Sequence, residues 1–318
     1  MVPLRGAIVV ALLLLCAVAS GCISLRRFHA LAFARCPASG PIPDGLYDRK
    51  TQPVDLSGYY RALEAGAAGV AVREVAQVRY EGNAFPLLHL GAFGAPAGPT
   101  LLVIAAVHGD EVSGSLAIPA LLADAREHRE AYAQVALHIL APANPVGLAH
   151  LSRYNGQGCD VNRDFGRFQT PEAAAIRDLI ATLKPRLIVA LHEGPQRGFY
   201  AIATPSVPAE LARAAAREVA AAGLGVATRS FLGMPLATPG LSREGWGTTG
   251  VKRLIGLPTL GAYAHAHRIG VLTTESPWDT PEMAARVRAH VVAVRAVAAR
   301  LSPRPAQARN GRARHHER

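Results

Sequence analysis

Three apolar runs of strand length constrain the fold of this chain more than any other feature. The runs "LLVIAAV", "RLIVAL" and "IGVLTT" are apolar almost throughout, which is typical of strands covered on both faces. Helical patterns lie between them, from about Val112 to His128, from Thr170 to Leu183 and from Pro208 to Ala222. Strands that alternate with helices predict an α/β fold, with a mixed, mainly parallel central sheet and helices on both faces.

Further elements complete the domain. A short helix near residues 56–65 comes first, and alternating apolar residues in "VAVREVAQVRY" and "FPLLHLG" predict two strands that are antiparallel or at an edge. The segments "QVALHIL" and "GFYAIAT" are also predicted strands. Thr280, Pro281 and Glu282 combine a capping hydroxyl with a proline in the first turn, so a closing helix should run from there to about Leu301.

The N-terminus has the features of an export signal. Arg5 precedes an uncharged apolar run from Gly6 to Ala19, which suits the middle of a signal peptide better than a transmembrane span. The run ends in "VASGC", which resembles a bacterial lipobox and would make Cys22 the lipidated first residue, although Ala19 stands where leucine is usual. Ordinary cleavage and retention as an uncleaved signal anchor stay open. We expect an exported protein at the periplasmic face of a bacterial membrane.

Composition divides the chain into four parts. We expect a signal peptide at 1–21, a lipid-anchored tether rich in proline and glycine at 22–55, a folded domain at 56–301 and a basic, disordered tail at 302–318. Cys16 would leave with the signal peptide. Whether Cys36 and Cys159 then pair stays open, because spacing alone cannot place two thiols within bonding distance.

The formal net charge of +11 does not predict a nucleic-acid partner. Arginine far outnumbers lysine, as translation of GC-rich DNA would give, and five of the arginines lie in the tail. Because the sequence has no basic motif interleaved with aromatic residues, we expect no binding to nucleic acid.

Metal-binding and acidic side chains follow the apolar runs. His108 and Glu111 come after the first run, His192 after the second and Glu275 after the third. Because ligands bind at the carboxyl ends of strands in such sheets, we expect these side chains to meet at one edge. Two histidines and one carboxylate can hold a zinc ion and leave one position open to water, and a further carboxylate can take a proton from that water. This set predicts a hydrolase.

A second group of polar residues lies between the first two runs. The segment "RYNGQGCDVNRDF", residues 153–165, contains Arg153, Asn162 and Arg163. Two arginines and an asparagine are suited to binding a carbonyl and a carboxylate. We therefore expect an anionic, peptide-like substrate.

Taken in order, these motifs resemble the zinc carboxypeptidase superfamily. The motifs are "HGDE", the pattern R-x-N-x-x-G-x-D-x-N-R-x-F from Arg153 to Phe165, a strand-borne His192, and Glu275 within "TTES". The closer likeness is to bacterial members that act on cell-wall peptides, such as murein peptide amidase, and it covers roughly residues 75–300. The resemblance implies a zinc carboxypeptidase-like fold for the domain at 56–301, one zinc ion per chain and a peptide substrate.

The resemblance also implies roles at the metal. His108, Glu111 and His192 would hold the zinc ion, and Asp160 would accept the other ring proton of a ligand histidine. For Asp160 a role as a turn former stays open. Glu275 would be the general base for the attacking water and then the acid that protonates the leaving amine.

Other residues would bind the substrate. Arg153 would polarise the scissile carbonyl, and Asn162 and Arg163 would hold the free carboxylate. Tyr263 matches the place of a mobile tyrosine that covers the substrate in the family, and Asp164 stands where the family more often has asparagine. Three further basic residues could favour an acidic substrate side chain: Arg243, Lys252 and Arg253.

The sequence therefore favours a zinc-dependent exopeptidase or amidase that removes a terminal residue from a peptide, with murein peptides as a plausible pool because of location. One alternative is an acylase of the aspartoacylase and succinylglutamate desuccinylase branch, which shares "HGxE" and "DxNRxF". Those enzymes typically carry a β-rich domain after the catalytic glutamate, whereas the 43 residues after Glu275 indicate a helix and a tail. A second alternative is a non-catalytic lipoprotein that binds wall peptides.

Overall fold

The computed structural model describes residues 35–42, 53–230, 233–245, 259–278, 280 and 282–301. The predicted signal peptide, Cys22 and the tail at 302–318 lie outside the described residues, as do Lys252 and Arg253. Among the residues it describes, no helix has both the length and the apolar character needed to cross a bilayer.

Strands and helices alternate along most of the described chain. The strands are β1 Ala71–Tyr80, β2 Asn83–Gly94, β3 Thr100–Ala105, β4 Ala136–Ala141, β5 Leu187–Gly194, β6 Tyr200–Ala203, β7 Leu241–Arg243 and β8 Gly270–Pro277. The helices are α1 Leu56–Gly66, α2 Val112–Glu127, α3 Arg129–Tyr132, α4 Pro145–His150, α5 Pro171–Leu183, α6 Ala209–Ala221, α7 Leu260–Ala266 and α8 Met283–Ala298, with a short 3₁₀ helix at Val161–Arg163.

These strands form one mixed sheet in the order β1-β2-β4-β3-β5-β8-β6-β7. The central strands β4, β3, β5 and β8 are parallel, whereas β1, β2 and β4 pair antiparallel at one side and β6 runs antiparallel to β8 at the other. The prediction of a mixed, mainly parallel sheet is confirmed, and so is the antiparallel pair that "VAVREVAQVRY" and "FPLLHLG" form at its edge.

The central strands are apolar throughout because both faces of the sheet are covered. In β3, Leu101 and Val103 pack into a core with α1, α2, α6 and α8, while Leu102 and Ile104 pack on the opposite face with α5 and α7. An alternating polar pattern would leave polar groups buried on one side. The helices on both faces therefore explain the uninterrupted runs.

Helix starts were predicted well at one position and poorly at another. Thr170 caps α5 by accepting a hydrogen bond from the Ala173 N–H at 3.3 Å, as its sequence signal indicates. The prediction that the last helix starts at Thr280 is wrong, since α8 begins at Met283. The N-cap residue of α8 is Glu282 rather than Thr280, and Trp278 is still bound to β5 through its N–H, which donates to the Gly194 carbonyl at 3.0 Å.

Residues 35–42, the N-terminal arm, lie against residues 152–164, the motif loop. Cys36 and Cys159 form a disulfide bond. The Asp160 N–H donates to the Arg35 carbonyl at 2.7 Å, which adds a main-chain hydrogen bond beside the disulfide. Part of the segment predicted to be a tether is therefore fixed to the domain.

Candidate metal and substrate site

The carboxyl edge of the central sheet carries the predicted metal ligands. His108 lies just beyond β3, and Glu111 is the residue that precedes α2. His192 and Glu275 lie within β5 and β8 rather than after them, because both strands continue three residues further than predicted. The two residues are register partners across the parallel β5–β8 pair. The fold thus brings four residues from three distant segments to one edge.

Three of these side chains form a cluster that fits a metal ion. Nδ1 of His108 lies 2.7 Å from Oε1 of Glu111, and Nδ1 of His192 lies 2.6 Å from Oε2 of the same carboxylate. One potential ligand atom from each residue lies within 4.8 Å of the others, and all three residues are buried. Two imidazole nitrogens and a carboxylate are the donor set of many catalytic zinc sites. The residues present therefore fit the metal that the sequence predicts.

Asp160 lies next to the His108 ring, on the side opposite Glu111. Its Oδ1 atom lies 3.3 Å from Nε2 of His108, and its Oδ2 atom accepts a hydrogen bond from Nε of Arg153 at 2.9 Å. The carboxylate is fully buried, which by itself would raise its pKa, but the charges of Arg153 and Arg163 hold the pKa of Asp160 well below its usual range. An ionised carboxylate behind a histidine fixes the tautomer and orientation of the ring.

Arg153 lies at the rim of the metal cluster. Its Nη1 atom is 3.3 Å from Nδ1 of His108 and 3.9 Å from Oε1 of Glu111. Burial acts to lower the pKa of Arg153, but Asp160 and Glu111 raise it, so the guanidinium stays charged. A fixed positive charge at this place can stabilise negative charge on a substrate oxygen.

A cavity of about 400 Å³ opens in front of the cluster. Asn162 and Arg163 line it together with the metal cluster, Arg153 and Glu275. Oδ1 of Asn162 accepts the Leu260 N–H at 2.9 Å, and Nη1 of Arg163 donates to the Asn162 carbonyl at 3.3 Å. The cavity thus contains both a metal-binding set and a cationic group suited to a carboxylate.

Two side chains at the cavity have perturbed acidity. Burial raises the pKa of Glu275 well above its usual range, and the negative charge of Glu111 raises it further. Burial acts to lower the pKa of His108, but the carboxylates of Glu111 and Asp160 raise it to about 9. A carboxyl group with a raised pKa, placed beside a metal cluster, is suited to take up and release a proton.

The structure does not bring Tyr263 to this cavity. The Tyr263 ring on α7 packs against Phe165 and Phe168, with ring centroids 6.1 and 5.1 Å away, and against His267. It lines a separate surface cavity with residues such as Pro185. Because α7 turns this side chain toward an aromatic cluster, the predicted role of covering the substrate has no geometric support.

The structure also separates Arg243 from the cavity. Arg243 is exposed and donates from Nη2 to the Val207 carbonyl at 3.0 Å, whereas its neighbour Glu244 lines the cavity. Successive residues of a strand point to opposite sides, which explains why only one of the two reaches the site.

Two polar residues of the motif loop are structural. Oδ1 of Asn155 accepts the Gln157 and Cys159 N–H groups, and its Nδ2 donates to the buried carboxyl of Glu172 at 2.9 Å. Oδ2 of Asp164 accepts the N–H and the hydroxyl of Thr170, so this acid holds the start of α5.

A buried ion pair behind the metal cluster was missed in the sequence. Oε1 of Glu193 lies 2.8 Å from Nη1 of Arg286, and Oε2 of Glu193 accepts the Ser113 N–H at 3.1 Å. Glu193 follows His192 directly, so these contacts tie β5 to α2 and α8 next to a predicted metal ligand. The position of Glu193 was a usable signal, whereas an arginine on the last helix is ordinarily a surface residue.

Comparison with known proteins agrees with this architecture. Residues 97–227 match the model of the succinylglutamate desuccinylase/aspartoacylase catalytic domain, a segment that includes His108, Glu111 and His192 but not Glu275. No curated protein matches the chain significantly in sequence.

Solved structures resemble a larger part of the chain. A proposed metallopeptidase from Shewanella denitrificans OS217 is 18% identical, with 78% of this chain and 91% of that chain covered at a TM-score of 0.63. The chain has a metallo-carboxypeptidase-like fold. A metallo-carboxypeptidase from Burkholderia cenocepacia is 20% identical over 76% of this chain and 69% of that one, at a TM-score of 0.54. Bovine thrombin-activatable fibrinolysis inhibitor is 13% identical, with 78% of this chain and 96% of that chain covered at a TM-score of 0.57.

Proposed function

We propose that the protein is a zinc-dependent hydrolase that cleaves an amide bond next to a free carboxylate in a peptide, as an exopeptidase or amidase. The observation that carries this proposal is the convergence of the metal cluster, Glu275 and Arg163 on one cavity. A metal-binding set, a base and a cationic group are the parts such a reaction needs.

His108, Glu111 and His192 would hold one zinc ion per chain. When bound, the ion would act as a Lewis acid toward the scissile carbonyl and the attacking water. Asp160 would keep the His108 ring turned so that Nδ1 faces the ion, because the carboxylate lies at Nε2 on the other side of the ring.

Glu275 would carry the proton between the two halves of the reaction. It takes a proton from the attacking water and delivers it to the leaving amine, so the amide C–N bond breaks as a neutral amine forms. The raised pKa of Glu275 suits the first step, because the carboxylate then takes up a proton readily in its buried position.

Arg153 and Arg163 would act on different parts of the substrate. Arg153, anchored by Asp160 beside the metal cluster, would stabilise the oxyanion that develops on the carbonyl. Arg163 and Asn162 would bind the terminal carboxylate. Holding that carboxylate would bring the adjacent amide bond to the metal cluster, so cleavage would occur next to a terminus.

A second candidate function is hydrolysis of N-acyl amino acids. The family match over residues 97–227 favours it, since that family is described by its desuccinylase and aspartoacylase members. The likeness to solved metallo-carboxypeptidases, which covers 76% of this chain for the Burkholderia protein, supports a peptide substrate instead. The two candidates share the chemistry of amide hydrolysis beside a carboxylate and differ in the acyl group.

One assay separates these functions. Peptides with free carboxyl ends, the same peptides amidated, and N-acyl amino acids such as N-acetylaspartate are incubated with the zinc-loaded protein, and the released amines are measured. We expect release from free-carboxyl peptides alone. Release from N-acyl amino acids alone would establish the acylase. Binding of peptides with no release from any substrate would support a non-catalytic binding lipoprotein.

We further propose that the protein acts at the periplasmic face of a bacterial membrane, on murein-derived peptides. The N-terminal sequence supports export, and the Cys36–Cys159 disulfide adds support because such bonds persist in oxidising compartments. In fractionated cells we expect the wild type with the membrane and Cys22→Ala in the soluble periplasm. A Cys22→Ala variant that stays in the membrane would favour an uncleaved signal anchor, and a cytosolic wild type would contradict export.

A further inference from the structure

We propose that the N-terminal arm is a positioning element of the active site. Through the Cys36–Cys159 disulfide it holds Asp160, and with it Arg153 and His108, in the working arrangement, so that tight metal binding and full activity require the oxidised pair. The statement about activity rests on the proposed function, whereas the effect on metal affinity can be measured without it.

The contacts of the arm surround Asp160. Cys159, which precedes Asp160, is bonded to Cys36. The Asp160 N–H donates to the Arg35 carbonyl at 2.7 Å, and the Ala38 N–H donates to the Gly158 carbonyl at 3.2 Å. The main chain of the loop is therefore held on both sides of the disulfide, at the residue whose side chain reaches the metal cluster.

The arm approaches the loop closely enough to require a glycine. Gly158 has a φ of +75°, and a Cβ atom there would collide with the Ala38 carbonyl oxygen. Glycine is the residue that tolerates both the left-handed backbone and such a close approach. Farther along the loop, Nη1 of Arg35 lies 3.2 Å from Oδ1 of the buried Asp164. The arm and the loop are thus fitted to each other over their length.

Asp160 transmits the position of the loop to reacting groups. One carboxylate contacts Nε2 of His108 at 3.3 Å, Nε of Arg153 at 2.9 Å and the Asn162 N–H at 2.9 Å. The N–H···O hydrogen bonds of proteins span about 2.7 to 3.2 Å, so a small shift of the loop would break the two bonds that Asp160 accepts at 2.9 Å. If the arm is released, the loop can shift, and both the His108 ring and the Arg153 guanidinium lose their common partner.

Reduction is a way to release the arm without changing the sequence. Cys36 is exposed while Cys159 is buried, so a reductant can reach the bond from the side of the arm. A water-soluble phosphine suits the test, since thiol reductants bind zinc. The phosphine is oxidised to the phosphine oxide, water supplies its oxygen and two protons, and the S–S bond becomes two thiols.

The experiment compares oxidised wild type, phosphine-treated wild type and Cys36→Ser/Cys159→Ser. Metal affinity is measured by competition with a chromophoric chelator. The values of kcat and KM are measured with a free-carboxyl peptide, and circular dichroism at the same temperature shows whether the native fold is kept. We expect reduction to weaken metal affinity about 10- to 100-fold and to lower kcat about 10-fold or more. The double variant should match the reduced wild type and should not respond to the phosphine.

Three outcomes decide the proposal. A folded, reduced protein with unchanged metal affinity and kcat would overturn it. An inactive oxidised wild type would count against the proposed function. In that case a metal affinity that depends on the disulfide would still support the positioning role of the arm. If reduction unfolds the chain, Gly158→Ala in the oxidised protein replaces it as the test, because the added Cβ would push the Ala38 carbonyl of the arm away from the loop. We expect weaker metal affinity with a native circular dichroism spectrum, and unchanged affinity would overturn the proposal.

Discussion

His192 and Glu275 occupy the same register position on two neighbouring parallel strands, β5 and β8. Adjacent strands lie about 5 Å apart, so a proposed metal ligand and the proposed base emerge side by side at the carboxyl edge of the sheet. A slip of one residue in this pairing would turn one of the two side chains to the opposite face. The apolar residues that precede them, buried on both faces, fix the register.

Replacing the base should separate chemistry from metal binding. Glu275→Gln keeps the shape of the side chain but cannot take a proton from water, so we expect kcat to fall about 100- to 10,000-fold. Metal content, measured by atomic emission on the purified protein, should stay at the wild-type value. The exposed Glu210→Gln is the matched control. Full activity of Glu275→Gln would show that another group is the base.

Asp160→Asn should weaken the metal site itself. The amide retains the size of the carboxylate but removes the charge that orients His108 and anchors Arg153. We expect metal affinity, measured by chelator competition, to fall about 10- to 100-fold, together with kcat. The exposed Asp178→Asn is the control. If the Asp160→Asn variant has wild-type metal affinity, Asp160 acts only as a turn former.

Arg163→Lys tests the carboxylate-binding role. Lysine keeps the positive charge but loses the forked donors that match a carboxylate, so KM for a free-carboxyl peptide should rise about 10- to 100-fold. If the wild type cleaves an amidated peptide slowly, Arg163→Lys should cleave that peptide at the same rate. The control variant at the exposed Arg167, Arg167→Lys, should behave as the wild type with both peptides. An equal effect on free and amidated peptides would argue against this assignment.

Glu172 should make stability depend on pH. Burial raises the pKa of this carboxyl in the folded protein to about 7, from 4.5 in the unfolded chain. The folded state therefore keeps a proton that the unfolded state loses, and the free energy of unfolding falls as pH rises from 4.5 to 7. The effect amounts to about 3 kcal/mol over this window.

Glu172→Gln removes this titration and keeps an acceptor for Asn155. Relative to the wild type, the variant should gain stability as pH rises from 4.5 to 7 and show no further gain above that. Urea unfolding at pH 4.5, 6 and 8 measures the difference, with the exposed Glu64→Gln as control. A stability difference that does not vary with pH would contradict the raised pKa.

Much of the sheet could be predicted because buried strands have a simple apolar pattern in the sequence. Strands covered on both faces are apolar throughout, so β3, β5 and β8 were recognisable and their carboxyl ends could be placed at one edge. His108, His192 and Glu275 follow from that placement. The N-cap of α8 lies two residues beyond the position that the sequence predicts, because a capping pattern at Thr280 describes local preference only.

Other features depend on tertiary contacts that the sequence does not encode locally. Cys36 and Cys159 are separated by 123 residues, and their pairing follows from how the arm packs. The direction of the Tyr263 side chain depends on the aromatic residues that α7 meets in the folded chain. Arg286 is buried because Glu193 lies opposite it, which no pattern within the last helix indicates.

Anomalous diffraction at the zinc absorption edge tests the metal site most directly. Crystals of the zinc-loaded protein should show one peak per chain, bounded by Nδ1 of His108, Nδ1 of His192 and the Glu111 carboxylate. The same peak should be missing from His192→Ala crystals, while the control variant His265→Ala, at a half-buried histidine outside the cluster, should retain it. A zinc peak bound elsewhere, or no peak in a correctly folded wild type supplied with zinc, would contradict the proposed metal site and the hydrolase built on it.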